Sequence, residues 1–343
     1  MSLPNYQMRN VLITGGAGFI GANFIRYLLL NDNTVNIFNL DLLTYAGSLN
    51  NLTHLPDPLR YQFIKGDICD ATLIAMILRH HQIDTIIHFA AESHVDRSIQ
   101  GPAPFIHTNV LGTFTLLEAA RQFWLAEKNW SNKECRFHHI STDEVFGTLS
   151  ADDEPFTEKT PYAPNSPYSA SKAGSDHLVR SYWHTYHLPM TMSHCSNNYG
   201  PYQHAEKFIP TVIRSCREWK PIPIYGDGTN IRDWLYVHDH CAAIFAILQR
   251  GKVGETYNIG GQCEQNNLTL AQTICDLMDE LYPQQESHQS LIQFVTDRLG
   301  HDWRYAINHS KITSELGWRP QETLATGLRK TVVHSADLSV NVS

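Results

Sequence analysis

Residues 11–21 run Val-Leu-Ile-Thr-Gly-Gly-Ala-Gly-Phe-Ile-Gly, and this stretch decides the fold of the chain. Its apolar start predicts a buried strand, and the helical spacing of apolar residues from Phe19 predicts a helix immediately afterwards. Between them stand Gly15, Gly18 and Gly21. Glycines at such a turn let the backbone bend tightly and approach a pyrophosphate, which the free N–H groups of the helix N-terminus attract. The stretch therefore predicts a dinucleotide site, with a purely structural strand–helix turn as the alternative.

A carboxylate at the end of the second apolar run specifies which dinucleotide to expect. Residues 35–40 read as a strand and are followed by Asp41, which comes 20 residues after Gly21. A carboxylate at this distance accepts hydrogen bonds from a ribose 2′-hydroxyl and repels a 2′-phosphate. The pattern predicts NAD rather than NADP.

The composition is that of an ordinary globular protein. The 343 residues are 42% hydrophobic and 17% charged, with a net charge of −8, so no basic excess favours nucleic acid or a membrane surface as a partner. Seven cysteines without a CxxC pair indicate free thiols in a reducing compartment. The polar N-terminus and the absence of a long apolar run lead us to expect a cytoplasmic protein.

Apolar runs alternate with helical patterns as far as residue 195, which predicts an α/β, doubly wound parallel (Rossmann) sheet. The carboxyl ends of parallel strands share one edge, where ligands bind. Asp41, Asp67, residues 90–93 and residues 142–144 all follow predicted strands. We therefore expect them to line one site.

The second part of the chain is less regular and predicts a smaller mixed α/β region. We divide the chain into an NAD-binding domain over residues 1–195, a nucleotide-sugar-binding region over 196–330 and a tail over 331–343. The smaller region is not expected to fold independently, because the sixth strand, at residues 190–195, should close the first sheet just before it.

The candidate catalytic groups form two short motifs. Tyr168 and Lys172 are spaced to share one helix face, where an ammonium lowers the pKa of a phenol and prepares it to act as a base toward an alcohol. Thr142, at a neighbouring strand end, could donate to the same substrate oxygen. Asp143 and Glu144 suit a reaction in which one group takes a proton and another protonates a leaving oxygen. A surface pair and a solvated acidic turn are the alternatives.

Taken together, the motifs resemble the dTDP-glucose 4,6-dehydratase family of the extended short-chain dehydrogenases/reductases, over about residues 9–327. Besides the glycine turn and the Tyr–Lys pair, the resemblance is carried by HFAAESHVDRS (88–98), STDEVFG (141–147), SNNYGPY (196–202), RDWLYV (232–237) and DRLGHD (297–302). The acidic pair discriminates, since UDP-galactose 4-epimerases generally lack it and related dehydratases usually keep only the glutamate.

The resemblance implies a lyase of nucleotide-sugar metabolism and deoxysugar biosynthesis. Tyr168 would take the C4 hydroxyl proton while hydride passes to NAD. Glu144 would take the C5 proton, and protonated Asp143 would donate to the departing C6 hydroxyl. Hydride would then return to C6 and a proton to C5, giving dTDP-4-keto-6-deoxyglucose, so NAD would stay bound throughout.

The resemblance also implies the binding residues and the assembly. It places the cofactor against Gly15, Gly18, Phe19, Ile20, Gly21, Asp41, Leu42, Leu43, Thr44, Asp67, Ile68, Ala90, Ala91, Ser93, Thr108, Tyr168, Lys172 and Asn198. It places the sugar nucleotide against Ser93, Thr142, Asn197, Lys207, Phe208, Pro223, Ile224, Tyr225, Arg232, Asn267, Arg298 and His301. Family members form homodimers through the long helices after Pro104 and Tyr168, and the aromatic residues Phe114, Trp183 and Tyr186 are compatible with such an interface or with a core.

The chain departs from the family pattern at three positions. Leu299 and Trp303 stand where proline and arginine are usual, which affects the expected nucleotide affinity or base preference but not the reaction. Phe146 replaces a usual tyrosine, with little expected effect. The alternatives are a UDP-sugar dehydratase or 4-epimerase, and a non-catalytic NAD-binding regulator.

Nineteen histidines raise the question of a metal site. His238, His240 and Cys241 are the notable group, but they fall at a strand-to-helix junction where the family fold has a Val-His-Asp stretch. We expect no metal.

Overall fold

In this computed structural model the described residues are 6–297 and 299–340, without the side chains of 336–340. Within them, the strands are β1 (Asn10–Thr14), β2 (Asn36–Asp41), β3 (Tyr61–Lys65), β4 (Thr85–His88), β5 (Arg136–Thr142), β6 (Met190–Cys195), β7 (Asn197–Tyr199), β8 (Ile222–Tyr225), β9 (Ile231–Tyr236), β10 (Thr256–Ile259), β11 (Glu264–Asn266) and β12 (Ile292–Val295).

The helices are α1 (Phe19–Asn31), α2 (Ala71–His80), α3 (Val95–Gln100), α4 (Ala103–Phe105), α5 (Thr113–Ala120), α6 (Pro167–Tyr186), α7 (Phe208–Glu218), α8 (Val237–Arg250), α9 (Asn267–Leu281), α10 (Ser310–Leu316) and α11 (Leu324–Val340). Two π-helical segments, Ile106–Gly112 and Arg121–Glu127, extend α4 and α5 into one helical stretch over residues 103–127. Short 3₁₀ turns lie at Leu49–Leu52, Pro58–Arg60, Asp143–Phe146 and His288–Leu291.

The central sheet confirms the predicted fold class. Seven parallel strands of the described chain pair in the order β10-β6-β5-β4-β1-β2-β3. Alternate residues of a strand face opposite sides of a sheet. Accordingly, Val11 and Ile13 pack in a core with residues of α1 and α8, while Leu12 packs in a second core with residues of α2, α5 and α6. Helices thus cover both faces of the sheet, which a parallel sheet requires.

The expectation that the sixth strand closes this sheet is wrong. The chain leaves β6, forms part of the smaller region, and returns so that β10 pairs in parallel with β6. Helix α8, just before β10, packs against α1 on the same side. The return protects the backbone edge of β6 and buries Tyr257 and Ile259 in the first core. The division at residues 195 and 196 stays a prediction.

The remaining elements form a cap beside the carboxyl ends of the strands. The cap consists of the sheet β11-β9-β7, the pair β12-β8 and the helices α7 and α9, with its own apolar core. Helix α11 contributes Leu328 and Val332 to that core, so the predicted tail begins inside a helix. Within the described ranges, no helix is both long enough and apolar enough to cross a membrane.

Candidate active site

A cleft of about 320 Å³ lies at the carboxyl ends of the central strands, between the large sheet and the cap. Residues that follow β1, β2, β3, β4 and β5 line it, as the strand-end argument predicts, and residues 195–198 and 203–207 line the opposite side. Every predicted cofactor residue except Leu43 lies along this cleft. The structure therefore brings the cofactor set together in one place.

The glycine turn is held at contact distance from the neighbouring strand. Gly15 has a φ of 71°, and a Cβ atom there would lie 2.6 Å from the backbone N and Cα of Ala90. A Cβ on Gly21 would lie 2.4 Å from the carbonyl oxygen of Gly15. Helix α1 begins after Gly18 without a side-chain cap, so its first N–H groups remain available to a phosphate. This cradle fits a dinucleotide.

Asp41 is held in the cleft by backbone donors. Its Oδ2 accepts from the Ala17 N–H at 2.9 Å, and its Oδ1 accepts from the Leu43 N–H at 2.8 Å. Leu43 adopts a left-handed backbone with a φ of 59°, and it supports the carboxylate instead of lining the cleft. Burial raises the pKa of Asp41, and these two hydrogen bonds oppose that rise. Each carboxylate oxygen keeps a further lone pair for a ribose hydroxyl.

The candidate catalytic residues come from two elements that meet at the cleft. Thr142 ends β5 and caps the 3₁₀ turn that contains Asp143 and Glu144, accepting from the Glu144 N–H at 3.3 Å. Tyr168 and Lys172 lie in the first turns of α6, which begins with a reciprocal Ser166–Ser169 capping box. All five predicted catalytic residues line the cleft.

Asp143 is almost fully buried, and its Oδ2 has no hydrogen-bond partner among the described residues. Burial raises the pKa of Asp143 well above that of an ordinary carboxyl group, and the negative charges of Glu144 and Asp233 raise it further. The raised pKa favours the protonated form that a general acid needs.

The sequence-based expectation for the Tyr168 pKa is wrong. Burial raises this pKa well above its usual value, and the negative charge of Glu144 raises it further. A hydrogen bond with Thr142 opposes the rise. The Lys172 ammonium donates to the carbonyl oxygen of Ile140 at 2.8 Å, and burial lowers its own pKa. The sequence pattern contained the ammonium but not the degree of burial, which here outweighs it.

The predicted substrate residues divide into two groups. Ser93, Thr142, Asn197 and Lys207 line the cleft, and Lys207 Nζ donates to the carbonyl oxygen of Ser93 at 3.1 Å. The others, which belong to the cap, do not line it: Phe208 at the start of α7, Pro223, Ile224 and Tyr225 in β8, Arg232 in β9, Asn267 at the start of α9, and His301. Arg298 lies outside the described residues.

Arg232 is buried at the border between the cap and the acidic pair. Its guanidinium donates to the carbonyl oxygens of Ile231, Asp302 and Trp303 and lies 4.3 Å above the ring of Tyr305. Its positive charge also opposes the rise in the Asp143 pKa. The arginine is thus electrostatically coupled to the cleft although it does not line it.

The sequence analysis missed one group of cleft residues. Tyr45, Gln203, His204 and Glu206 line the cleft, and the Arg97 guanidinium lies 3.9 Å above the Tyr45 ring. The Glu206 carboxylate is paired with His94, Arg97 and His204 at 3.3–3.5 Å. These residues lie on loops without a periodic pattern. The one available signal was that residues 203–207 directly follow the SNNYGPY motif.

The histidines that raised the metal question have other contacts. His240 Nδ1 is hydrogen-bonded to Asn198 Oδ1 at 2.9 Å, and the His238 ring packs against Tyr236. Among the described residues, the potential ligand atoms that lie within 4.8 Å of one another belong to Asp67, Cys69 and His107. That the chain binds no metal stays a prediction.

Comparison with known proteins gives consistent matches over nearly the whole chain. The sequence model of GDP-mannose 4,6 dehydratase matches residues 12–331. A dTDP-glucose 4,6-dehydratase of Shigella flexneri is 54% identical over 330 residues, covering 94% of this chain and 91% of the relative.

Solved structures agree with the sequence matches. The dTDP-glucose 4,6-dehydratase of Bacillus anthracis, in complex with NAD, superimposes with a TM-score of 0.86 at 43% identity, over 96% of this chain and 97% of that one. The enzyme of the same name from Streptomyces venezuelae, also with NAD bound, has a TM-score of 0.86 at 45% identity, over 96% and 97% of the two chains.

Proposed function

The chain belongs to the GDP-mannose 4,6 dehydratase family, and its 54% identical relative is a dTDP-glucose 4,6-dehydratase. We therefore propose that it converts dTDP-glucose into dTDP-4-keto-6-deoxyglucose with a bound NAD. The observation that carries the proposal is the buried Asp143 carboxyl group beside Glu144, both facing the cleft that Tyr168 and Lys172 also line. A simple alcohol dehydrogenase needs no such acid pair, whereas removal of water needs both a base and an acid.

The residues of the glycine turn and Asp41 would hold the dinucleotide, as the Gly15 cradle and the uncapped start of α1 fit its pyrophosphate. When bound, NAD would supply the hydride acceptor for oxidation at C4 of the sugar and the hydride donor for reduction at C6. Lys172, buried and held by Ile140, places a positive charge beside that site.

Each proton transfer has a candidate group. Tyr168, hydrogen-bonded to Thr142, would take the proton of the C4 hydroxyl in its phenolate form, which the Lys172 ammonium and the positive charge of bound NAD would have to stabilise against the effect of burial. Glu144 would take the C5 proton, which the neighbouring ketone has made acidic, and a proton would return to C5 when hydride reaches C6. Asp143, with its raised pKa, donates a proton to the C6 hydroxyl, which leaves as water. The cap residues Asn197 and Lys207 line the cleft and would contact the nucleotide part of the substrate.

The decisive experiment supplies dTDP-glucose labelled with deuterium at C4 and follows the product by mass spectrometry and NMR. The proposed route gives loss of one water, with the deuterium moved to C6. A product of unchanged mass with the label still at C4 would indicate an epimerase and would overturn the proposal. UDP-glucose serves as the matched substrate, since a preference for it would show that the enzyme selects a uracil nucleotide and not a thymine nucleotide. Glu144→Gln, which keeps the shape but removes the base, is the matched control variant.

We further propose a homodimer that forms through the helical stretch 103–127 together with α6. Ile106, Leu111 and Phe114 are 53%, 44% and 42% exposed on this stretch, and Tyr186 of α6 is 44% exposed. Apolar side chains concentrated on neighbouring helices favour a partner surface. Analytical ultracentrifugation should find a dimer that Phe114→Glu dissociates. A monomeric native chain would contradict the proposal.

The proposed location is the cytoplasm. None of the seven cysteines, all of which lie in the described part of the chain, forms a disulfide in the structure, and the Cys216 and Cys275 thiols make a hydrogen bond with their Sγ atoms 4.0 Å apart in the cap core. Free thiols at this distance are typical of a reducing compartment. Fractionation of cells that express the protein tests this location.

A further inference from the structure

Behind the catalytic residues lies a buried carboxylate that the proposed reaction does not use. Asp176 lies on α6, one turn after Lys172 and two turns after Tyr168, and its side chain is fully buried. Its Oδ2 accepts from the Ser141 hydroxyl at 2.7 Å, and its Oδ1 lies 3.0 Å from His139 Nε2. Ser141 and His139 belong to β5, the strand that ends in Thr142.

A third contact connects the carboxylate to β6. His194 Nε2 lies 3.2 Å from Asp176 Oδ2 and 2.7 Å from the Tyr162 hydroxyl. One side chain of α6 therefore joins the helix to two adjacent strands, immediately behind the cleft. A buried, multiply bonded carboxylate fixes relative positions better than apolar packing alone, because its hydrogen bonds are directional and costly to leave unmade.

The charges around Asp176 give it a second role. The titratable or charged groups on the surrounding elements are His88 of β4, His139 of β5, His194 and Cys195 of β6, Tyr162 and Arg180. Burial lowers the pKa of His139 to about 4 and that of His88 well below its usual value, so both imidazoles are neutral near pH 7.

The Asp176 carboxylate itself stays charged. Burial raises its pKa, but the hydrogen bonds from His139 and His194 outweigh burial and hold the pKa below its usual range. Burial lowers the pKa of Lys172, and the negative charge of Asp176 is the largest influence opposing it.

We propose that Asp176 is a positioning residue for this reaction: it fixes the helix that carries Tyr168 and Lys172 to the strand that ends in Thr142, and it places a buried negative charge one helical turn from Lys172. The inference rests on the proposed function for its catalytic consequence. The electrostatic part concerns Lys172 alone and can be measured without any substrate.

The test compares Asp176→Asn with Asp84→Asn. Asp84 is also buried and bonded to backbone N–H groups, those of Arg9 and Asn10, but it lies at the opposite ends of the strands. The Lys172 pKa is read by NMR of protein labelled with ¹³C at lysine Cε, with the resonance assigned from Lys172→Arg. We expect Asp176→Asn to lower this pKa by about one unit, as for loss of a nearby opposite charge, and Asp84→Asn to leave it unchanged.

The same shift should appear in the alkaline limb of the kcat profile with dTDP-glucose, where activity requires protonated Lys172. An unchanged Lys172 pKa in Asp176→Asn, or an equal shift in Asp84→Asn, would overturn the inference. Absence of turnover by the native chain would refute the proposed function instead, and the NMR result would still decide the role of Asp176.

A second pair of variants tests the positioning role if Asp176→Asn does not fold. Ser141→Ala removes a direct donor to Asp176. Ser175→Ala removes a hydroxyl that donates to the main-chain carbonyl oxygen of Lys172 at 2.7 Å and contacts His139 at 3.3 Å, but that does not contact Asp176. We expect kcat to fall about tenfold in Ser141→Ala, the loss that about 1.4 kcal/mol of hydrogen bonding produces, and to stay near the native value in Ser175→Ala. Equal activity of the two variants would overturn the positioning role.

Discussion

Gly15→Ala tests the tightest point of the proposed dinucleotide cradle. The new Cβ would lie 2.6 Å from the Ala90 backbone, whereas ordinary contacts begin at 3.4 Å, so one of the two segments would have to move by about 0.8 Å. Neither moves easily. The Phe89 N–H donates to the Thr14 carbonyl oxygen at 3.0 Å, which ties the Ala90 segment to the end of β1.

Two costs add in this variant. The left-handed φ of 71° costs a residue with a Cβ about 1–2 kcal/mol. Overpacking against a fixed backbone costs about 1–3 kcal/mol more. We therefore expect the free energy of unfolding to fall by about 2–5 kcal/mol in total. Because the displaced backbone lines the cleft, the purified variant should also carry less dinucleotide.

The assay combines urea unfolding with absorbance of the dinucleotide released from purified protein. Gly18→Ala is the matched control, since Gly18 has a φ of −79° and its new Cβ would meet only the Gly15 oxygen at 3.3 Å. Its stability should change by less than about 1 kcal/mol, the usual range at a helix N-cap. Native stability and a native dinucleotide content in Gly15→Ala would refute this account of the turn.

Three further predictions concern buried ionisable groups. Asp143→Asn should lower kcat by about 10²–10⁴-fold in the product assay. Because the folded state raises the Asp143 pKa above that of the unfolded chain, the native chain loses stability as the pH rises past about 4, and the variant should become more stable than the native chain there. A variant that is less stable than the native chain in alkaline urea melts would contradict this. Asp41→Asn should weaken NADH binding and reduce the preference for NADH over NADPH in fluorescence titrations. An unchanged preference would show that Asp41 does not bind the ribose hydroxyl. His240 has its pKa lowered from 6.5 to about 3 by burial, so the unfolded chain binds more protons between these values and stability falls as the pH falls, by up to about 1.4 kcal/mol per pH unit; His240→Gln should show a shallower slope in acid unfolding curves, and parallel slopes would refute the buried neutral imidazole.

The sequence predicted the sheet well where local pattern and burial coincide. β1, β2 and β6 coincide with the strands that the apolar residues from Val11, at 35–40 and at 190–195 predict, and the strand-end rule placed Asp41 and Asp67 on the correct edge because parallel strands leave no choice. The prediction failed for β10, because β9 (IRDWLY) and β10 (TYNI) are both short and of mixed polarity, so neither local pattern identifies the sheet that the strand joins. Which sheet each one joins depends on a pairing between residues far apart in the chain.

The site was predictable in composition but not in protonation. The motifs named the five catalytic candidates, and the structure gathers them in one cleft. The pKa directions of Asp143 and Tyr168 depend instead on burial, which arises when Val145 and Phe146 pack with Phe156 in a small core behind the acidic turn. No spacing rule contains this packing.

The departures at Leu299 and Trp303 have a structural reading that the sequence did not offer. The Leu299 side chain is 77% exposed, so it contributes little to packing. At position 303 the contacts that matter are made by the backbone: the carbonyl oxygen of Trp303 accepts from Arg232 and from the Ile231 N–H, and its own N–H donates to Thr148. Any residue at 303 except proline, which lacks the N–H, can make these bonds. Arg232 is therefore held in place by main-chain carbonyls, and replacing the usual arginine at 303 changes the charge near the nucleotide site without releasing the arginine that the motif retains.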